Sequence, residues 1–425
     1  MVVDDLYRDA APSVNVSIPQ DIISGALNDI YHKNVDPNKD IDPALFNAFW
    51  QKFNDAAAKG VSESKAPTPQ DDFLDALKYN NAVFSAFKVH RLQHDVAAQL
   101  TDSNGNLKPF EQWLKDVQPI ASHHCANWFQ TEYSTAVIRA HQAADWQQFE
   151  REKDVLPNLK WMPSTSVHPG EDHQIFWGTI LPIDDPFWDE HRPGDRWNCK
   201  CSLTSTDKPC TDIPGGSRPN DNPQPGLDNN PGKDAKLFSD SHPYIADAAK
   251  GANKAVKTTV GAVDLPQNYT EDKTYGQRLL ISKMADKTEV DENIRAARAL
   301  AASFKDMRVK INPHLIADEH KNPEYTINGL IADRKGIMSE KGVTAGFKKA
   351  IEQGCKSVVI DLDMNMKDKV LHVGALTKFI NWRKADFEQG TIKECYIIYN
   401  GKAVVIKSND ISKDKVIAII NKLKP

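Results

Sequence analysis

Residues 161–209 read WMPSTSVHPGEDHQIFWGTILPIDDPFWDEHRPGDRWNCKCSLTSTDKP, a stretch whose composition differs from the sequence on both sides. It holds four Trp, three His and a Cys-x-Cys pair, and turn-forming residues recur every few positions. An amphipathic helix needs an apolar stripe with a period of 3.6 residues, and this stretch has none. We therefore predict a small, loop-rich segment that follows a helical region.

The same stretch carries candidate metal ligands. His168 and His173 precede Cys199 and Cys201, and together they offer imidazole and thiolate, the groups that fill tetrahedral zinc sites. The Cys-x-Cys spacing is tighter than the usual zinc knuckle. A structural zinc is thus one interpretation, and a disulfide or a pair of buried thiols is the other.

Spaced motifs extend through this region. They are WFQTEYSTA at 128–136, AADW at 143–146, HQIFWG at 173–178, DDPFW at 184–188, Pro193, Trp197 and CKC at 199–201. Together they resemble the phage Mu-type head-morphogenesis (minor head) proteins, over residues 40–205. The resemblance implies a structural protein with portal and other capsid proteins as partners. It also implies assembly in the bacterial host cytoplasm and a place in the virion head.

Length and charge bound the remaining possibilities. A chain of 425 residues with 40% hydrophobic content can bury more than one core. The net charge is −5, but residues 263–425 hold 28 Lys and Arg against 22 Asp and Glu, so the acidic excess lies in the preceding part. Such asymmetry suggests separate partners for the two parts. The sequence has no apolar run long enough to predict a membrane span, and no signal peptide is evident at its N-terminus. Six Cys in a chain of this length are not typical of a secreted disulfide scaffold.

We predict a multidomain α+β chain. Residues 1–118 form a helical region, 119–212 the head-morphogenesis core with its loop-rich Cys/His segment, 213–262 a flexible linker, and 263–425 an α/β nuclease-like domain. The linker is assigned because 13 of the 20 residues in 213–232 are Pro, Gly or Asn, too few apolar groups to offset the entropy of ordering.

The C-terminal domain is predicted to follow the order αβββαβ. A helix at 289–304 precedes strands at 308–311, 324–328 and 330–335, a helix at 344–353 and a buried strand at 358–362. A helix at 372–389, strands at 395–399 and 403–407 and a helix at 410–423 follow. Both hairpins turn at Asn-Gly, which tolerates the positive φ angles of a type I′ turn.

The first of these hairpins brings charged residues together. With Asn328 and Gly329 as turn residues, Glu324 lies opposite Asp333, and Lys335 shares their face of the sheet. Facing carboxylates repel, so they require a compensating cation. A bound divalent metal ion would supply it, and so would Lys335 itself.

The segment NPEYTINGLIADRK at 322–335, followed by a helix and the strand SVVIDL, resembles the PD-(D/E)xK nucleases. More narrowly, it is similar to the C-terminal tRNase domains of contact-dependent growth-inhibition toxins. The resemblance, over residues 285–365, implies a Mg²⁺-, Mn²⁺- or Zn²⁺-dependent endonuclease. RNA or tRNA would be its substrate, and an immunity protein a further partner. It assigns Glu324 and Asp333 as metal ligands, Lys335 as the catalytic lysine, Glu292 as a helix acid and Gln353 as an auxiliary residue.

Two alternatives stay open. A metal-independent ribonuclease of the barnase, EndoU, colicin or RelE type would instead use residues among His314, His320, His372, Arg383 and Lys378. The chain could also be a purely structural minor head protein whose C-terminal domain only binds.

Overall fold

The computed structural model describes residues 15–167, 169–214, 222–314, 322–363 and 370–424. The chain divides into two compact units, with the boundary between Val260 and Gly261. The mixed α/β architecture, helical in the N-terminal unit and with a large sheet in the C-terminal unit, confirms the predicted multidomain α+β class.

The N-terminal unit is built on long helices. They are α1 (Gln20–Tyr31), α2 (Pro43–Glu63), α3 (Asp71–Ala97), α4 (Phe110–Ser122) and α5 (Trp128–Glu152), with one π-helical turn, His123–Asn127, before α5. Asp42 begins α2 by accepting a hydrogen bond from the Leu45 N–H at 2.8 Å. Gly60 lets α2 approach α5, because a Cβ at this position would overlap the backbone of Val137.

The loop-rich segment folds around a small antiparallel sheet. Its strands are β1 (Asn158–Met162), β2 (Ile180–Pro182) and β3 (Ser202–Thr206), in the order β2-β1-β3, with the four-residue helices α6 (Glu171–Gln174) and α7 (Phe187–Glu190) between them. Trp161 and Trp188 are fully buried beside Phe176 and Phe187. The aromatic residues that made the stretch unusual therefore form its core.

The predicted linker at 213–262 differs from the structure. Residues 222–260 pack within the N-terminal unit and contain the helices α8 (Pro231–Asp234), α9 (Pro243–Ala246) and α10 (Ala252–Gly261, which ends at the boundary). Leu227 and Tyr244 are almost completely buried. The Pro, Gly and Asn content was misleading here, because buried arginine side chains hold the backbone of this segment in place in addition to its apolar contacts. Residues 215–221 lie outside the described residues.

The C-terminal unit alternates strands and helices. Its elements are β4 (Tyr269–Asp272), β5 (Gly276–Ser282), α11 (Val290–Ser303), β6 (Val309–Ile311), β7 (Tyr325–Ile327), β8 (Leu330–Gly336), α12 (Gly342–Glu352), β9 (Ser357–Asp361), α13 (Val373–Asn381), α14 (Lys384–Glu388), β10 (Glu394–Tyr399), β11 (Lys402–Lys407) and α15 (Lys413–Asn421). The αβββαβ order is present. The strands β4 and β5 precede it and were not predicted.

The described strands of this unit form one sheet with the order β11-β10-β9-β8-β7-β6-β5-β4. β8, β9 and β10 are parallel, and α12 to α14 make the crossovers between them. Side chains of β9 alternate between two cores. Val358 and Ile360 pack with Phe347 of α12, whereas Val359 packs with Ala296 and Leu300 of α11. The sheet is thus covered by α11 on one face and by α12 to α15 on the other.

None of the helices in the described residues has both the length and the apolar character that crossing a membrane requires.

Candidate functional site

Three candidate ligands from the loop-rich segment come together. His173 lies in α6, and Cys199 and Cys201 lie just before β3. Their ligand atoms all fall within 4.8 Å of one another, and His173 Nδ1 is 3.2 Å from Cys199 Sγ. Within the described part of the chain, this is the one group of three or more His, Cys, Asp or Glu side chains with such geometry. His168, the fourth candidate, lies outside the described residues.

Local backbone geometry presents the two thiols to His173. Asn198 adopts a positive φ of 58°, and its N–H donates to the Thr135 hydroxyl of α5 at 3.1 Å. This turn directs the chain back towards the sheet, where Cys201 is almost fully buried. The described Cys residues form no disulfide. The separation of nitrogen and sulfur is close to that of two ligands on one tetrahedral zinc, given bonds of about 2.0 and 2.3 Å.

A buried carboxylate holds the other ring nitrogen. His173 Nε2 donates to Asp195 Oδ1 at 2.7 Å, and Asp195 is 1% exposed. Trp161 packs against the same imidazole, with ring centroids 5.1 Å apart. Zinc-bound histidines commonly have such a carboxylate partner, because it fixes the tautomer and the ring orientation. The donor set and its surroundings therefore fit a structural zinc with three protein ligands among the described residues.

Hydrogen bonds within the cluster shift the pKa values of its three side chains. Burial by itself disfavours imidazolium, but hydrogen bonds with Asp195 and Cys201 outweigh it and raise the pKa of His173 to about 9. The Cys199 thiol stabilises the neighbouring thiolate, and with His173 it lowers the pKa of Cys201 to about 4 in spite of burial. The same Cys201 thiolate, together with burial, holds the pKa of Cys199 well above its usual value. These shifts favour the thiolate form of Cys201, and the thiolate is the form of cysteine that binds a metal.

The hairpin of the C-terminal unit has the predicted register. Tyr325 pairs with Ala332 and Ile327 with Leu330, and both turn residues, Asn328 and Gly329, have positive φ. Continuation of this pairing places Glu324, just before β7, opposite Asp333 of β8.

Asp333 is fully buried and forms an ion pair with Lys335 on the same face of the sheet. Burial raises the pKa of Asp333, and Lys335 opposes this effect. Glu324 is half-buried, and its Oε2 accepts a hydrogen bond from the Arg334 backbone at 2.9 Å. Lys335 thus supplies a cation that compensates the facing carboxylates. This was the alternative to a bound metal ion in the sequence-based prediction.

The other predicted nuclease residues lie apart from this pair. Glu292 is on α11, which covers the face of the sheet opposite to Asp333, and it pairs with Arg295 at 2.9 Å. Gln353 ends α12 and donates its backbone N–H to Lys349. Glu292, Glu324 and Asp333 therefore do not form one three-carboxylate cluster among the described residues.

The residues of the metal-independent alternative are also spread out. His314 contacts Asp286 at 3.5 Å, His372 precedes α13, and Arg383 pairs with Asp386 at 2.6 Å. Lys378 lies over the exposed ring of Trp382, 5.2 Å from its centroid. His320 lies outside the described residues.

Sequence reasoning missed the residues that support the metal candidate. Asp195 holds His173, and the buried Arg139 and Arg192 bind backbone carbonyl groups of residues 227–237. A weak signal existed, since the charged HRPGDR run at 191–196 immediately precedes the Cys motif. No spacing rule, however, connects an arginine of α5 to carbonyl groups almost a hundred residues later in the chain.

Comparison with known families gives one match, over part of the chain. Residues 95–204 match the model of the family described as Phage Mu protein F like protein. The matched segment runs from the end of α3 through β3 and contains the whole His–Cys cluster. Comparisons with curated proteins and with solved structures found no match. The family match supports a protein related to phage heads and their morphogenesis.

Proposed function

We propose that this chain is a minor head protein whose N-terminal unit contacts the portal and other capsid proteins in the virion head. The observation that supports this proposal is the family match at residues 95–204. The matched residues include the helices α4 and α5 and the loop-rich segment that follows them. Assembly would take place in the cytoplasm of the bacterial host. The C-terminal unit would then be carried as a second, separately folded part.

In this proposal a structural zinc holds the loop-rich segment in place. His173, Cys199 and Cys201 would be its ligands, with His168 as a candidate fourth ligand. The segment has only three short strands and two four-residue helices, so a metal held by His173 of α6 and by Cys199 and Cys201 would join two of its loops. Zinc would supply that cross-link, and it would require no redox chemistry in a reducing cytoplasm.

Incorporation into heads tests this function. The full chain would be produced together with its cognate portal and major capsid proteins, and heads would be separated by sedimentation. We expect the chain to sediment with the heads, and we expect Cys201→Ser to reduce incorporation. The matched variant Cys210→Ser, at an exposed cysteine, should leave it unchanged. Absence of the unmodified chain from well-formed heads would overturn the assignment.

A metal-dependent nuclease in the C-terminal unit is a second candidate. It is favoured by a specific observation, the buried Asp333 beside Lys335 with Glu324 at the paired position of the hairpin. A divalent ion held by the two carboxylates would acidify a water molecule beside a phosphodiester. RNA or tRNA would be the substrate, and an immunity protein a possible further partner of this unit.

Cleavage assays with the full chain test the second candidate. We expect cutting of tRNA in Mg²⁺, Mn²⁺ or Zn²⁺, none in EDTA, and loss of cutting in Asp333→Asn and Lys335→Met. Asp414→Asn, at an exposed site in α15, is the matched control. Cutting that persists in EDTA and is lost in His372→Ala or His314→Ala would indicate the metal-independent class. No cutting of RNA or DNA under any condition would leave a purely structural or binding role.

A further inference from the structure

Residues 192–196 lie between the His–Cys cluster and residues 222–244, a segment that comes later in the chain. We propose that Asp195 is a positioning residue that couples metal binding by His173, Cys199 and Cys201 to the seating of residues 222–244 on the helices. The inference rests on the proposed zinc site. It goes further, because it assigns a role to Asp195 and a consequence to metal loss.

Asp195 first determines how His173 presents its ring. Its Oδ1 accepts from His173 Nε2 at 2.7 Å, so Nδ1 is the nitrogen that faces the Cys199 sulfur. A carboxylate partner stabilises the tautomer with its proton on Nε2 and leaves the Nδ1 lone pair for a metal. Without this partner, the ring would lose both its preferred tautomer and one of its fixed contacts.

The same residue is tied to the later segment through its backbone. The Asp195 carbonyl accepts a hydrogen bond from the Gln224 N–H at 2.9 Å, and Gln224 Oε1 accepts from the Trp197 N–H at 2.8 Å. Asp195 Oδ2 also accepts from the backbone N–H of Arg192 at 3.3 Å. The position of this run therefore depends on the Asp195 side chain.

Arg192 and Arg139 add further hydrogen bonds that connect the run 192–196 with the later segment. Arg192 donates to the Leu227 carbonyl at 2.6 Å and to the Asn229 carbonyl. Arg139 of α5 donates to the carbonyl groups of Gly194 and Leu237, and to Asn229 Oδ1 at 2.7 Å. Both guanidinium groups are almost completely buried. Their hydrogen bonds hold the run 192–196 and residues 227–237 in a single arrangement.

The seated segment in turn covers the aromatic core of the helices. The rings of Phe238 and Phe84 pack with their centroids 4.2 Å apart and their planes tilted by 31°, and the Tyr244 hydroxyl donates to Glu132 at 2.8 Å. Metal binding and the seating of residues 222–244 stabilise the same arrangement, so each must favour the other by the same factor. Metal binding should therefore protect residues 222–244, and any change that loosens this segment should weaken metal binding.

Hydrogen exchange of the full chain, read by mass spectrometry, tests the coupling. Zinc-loaded protein is compared with protein treated with a zinc chelator, and zinc affinity is measured by competition with a chromophoric chelator. We expect metal removal to accelerate exchange in peptides from 222–244 but not in peptides from α1. Asp195→Ala should weaken zinc binding about 10- to 100-fold and accelerate the same peptides even when zinc is saturating. Asp195→Leu, which has a similar size but no hydrogen-bonding group, covers the case in which the alanine variant does not fold.

Two further variants separate this role from general damage. Asp172→Asn removes a nearby carboxylate that contacts Arg196 and the His173 backbone but not the His173 ring, so its zinc affinity should stay within about threefold. Asn229→Ala touches no ligand, yet it should weaken zinc binding, whereas Asn158→Ala on β1 should not. Absence of zinc from the unmodified chain would refute the zinc proposal itself. Zinc that binds normally to a folded Asp195→Ala or Asp195→Leu variant, with unchanged exchange of 222–244 on metal removal, would overturn the coupling alone.

Discussion

The two units bury charged groups on different kinds of element. The N-terminal unit encloses Lys88, Glu132, His124 and Arg139 among its helices, and each of these side chains has a defined partner. The C-terminal unit has two largely apolar cores, one on each face of its sheet, and its buried charges lie on the strands, at Asp272, Asp333, Arg334 and Asp361. We therefore expect loss of a polar partner to be costly among the helices of the first unit, and loss of apolar volume to be costly in the cores of the second.

The largest effect is expected from the buried ion pair of the N-terminal unit. Lys88 Nζ lies 2.8 Å from Glu132 Oε2 and 3.2 Å from the Tyr244 hydroxyl, and both charged side chains are fully buried. Lys88→Met leaves Glu132 without its cation and should lower the free energy of unfolding by about 3–5 kcal/mol. Chemical denaturation measures this loss.

The matched control is Lys78→Met, which breaks an ion pair with Asp75 that is partly exposed and should cost about 0.5 kcal/mol or less. A double variant, Lys88→Met with Glu132→Leu, should recover much of the stability. Equal losses for Lys88→Met and Lys78→Met would contradict the expectation that burial makes an ion pair costly to break.

The C-terminal unit should respond to a cavity instead. Phe347 of α12 is fully buried in one of the two cores. Phe347→Ala should destabilise this unit by about 3–4 kcal/mol, whereas Phe347→Leu should cost about 1 kcal/mol. Hydrogen exchange reports each unit separately, and the peptides of α2 and α5 should be unaffected. A loss of protection across both units would indicate that they do not unfold independently.

Acid should weaken the N-terminal unit through His124. Burial lowers the pKa of His124 to about 4, although Asp95 at 3.2 Å opposes the shift. Below pH 6.5 the unfolded chain therefore binds a proton that the folded chain does not, and stability falls as the pH falls towards 4. From pH 7 to pH 5 this group alone should cost about 2 kcal/mol.

Denaturation of the wild type and of His124→Gln at both pH values isolates this contribution. Burial also lowers the pKa values of His90 and His242, so the informative quantity is the difference between the two proteins. The variant should show the weaker dependence on pH. Parallel curves would mean that folding does not shift the pKa of His124.

The smallest effect concerns the first hairpin turn. Gly329 has a φ of +82°, and no atom lies within 4 Å of where its Cβ would be placed. Gly329→Ala should thus cost about 1 kcal/mol through backbone strain alone. Gly374→Ala in α13 meets equally open space without a positive φ, and it should be neutral or slightly stabilising. A thermal scan that ranks the two variants in the opposite order would argue against the assigned turn.

Local sequence patterns explain which strands of the C-terminal unit could be predicted. The register of β7 and β8 followed from two residues, Asn328 and Gly329, because a two-residue turn with positive φ permits one pairing. The strand predicted at 358–362 followed from the apolar run Val358–Ile360 and lies at Ser357–Asp361 in the structure. In contrast, β4 and β5 interleave charged and apolar residues, and Asp272 is buried by its ion pair with Arg298, which leaves no clear alternation to detect.

The candidate metal site was only partly predictable for a related reason. His173, Cys199 and Cys201 are recognisable as ligand types, so their grouping could be proposed from the sequence. Asp195 and Arg139 act through contacts between distant parts of the chain, with carboxylate and guanidinium groups that are common on any protein surface. Residues 222–244 were taken for a linker because those contacts leave no local pattern.

The zinc content of the full chain tests the central claim most directly. Protein purified under reducing conditions without added metal would be analysed by inductively coupled plasma mass spectrometry, beside Cys199→Ser and Cys201→Ser variants. The proposed site predicts about one zinc per unmodified chain and a large loss of zinc in both variants. Unmodified, folded chain that contains no stoichiometric metal, with both thiols free or joined in a disulfide, would contradict it.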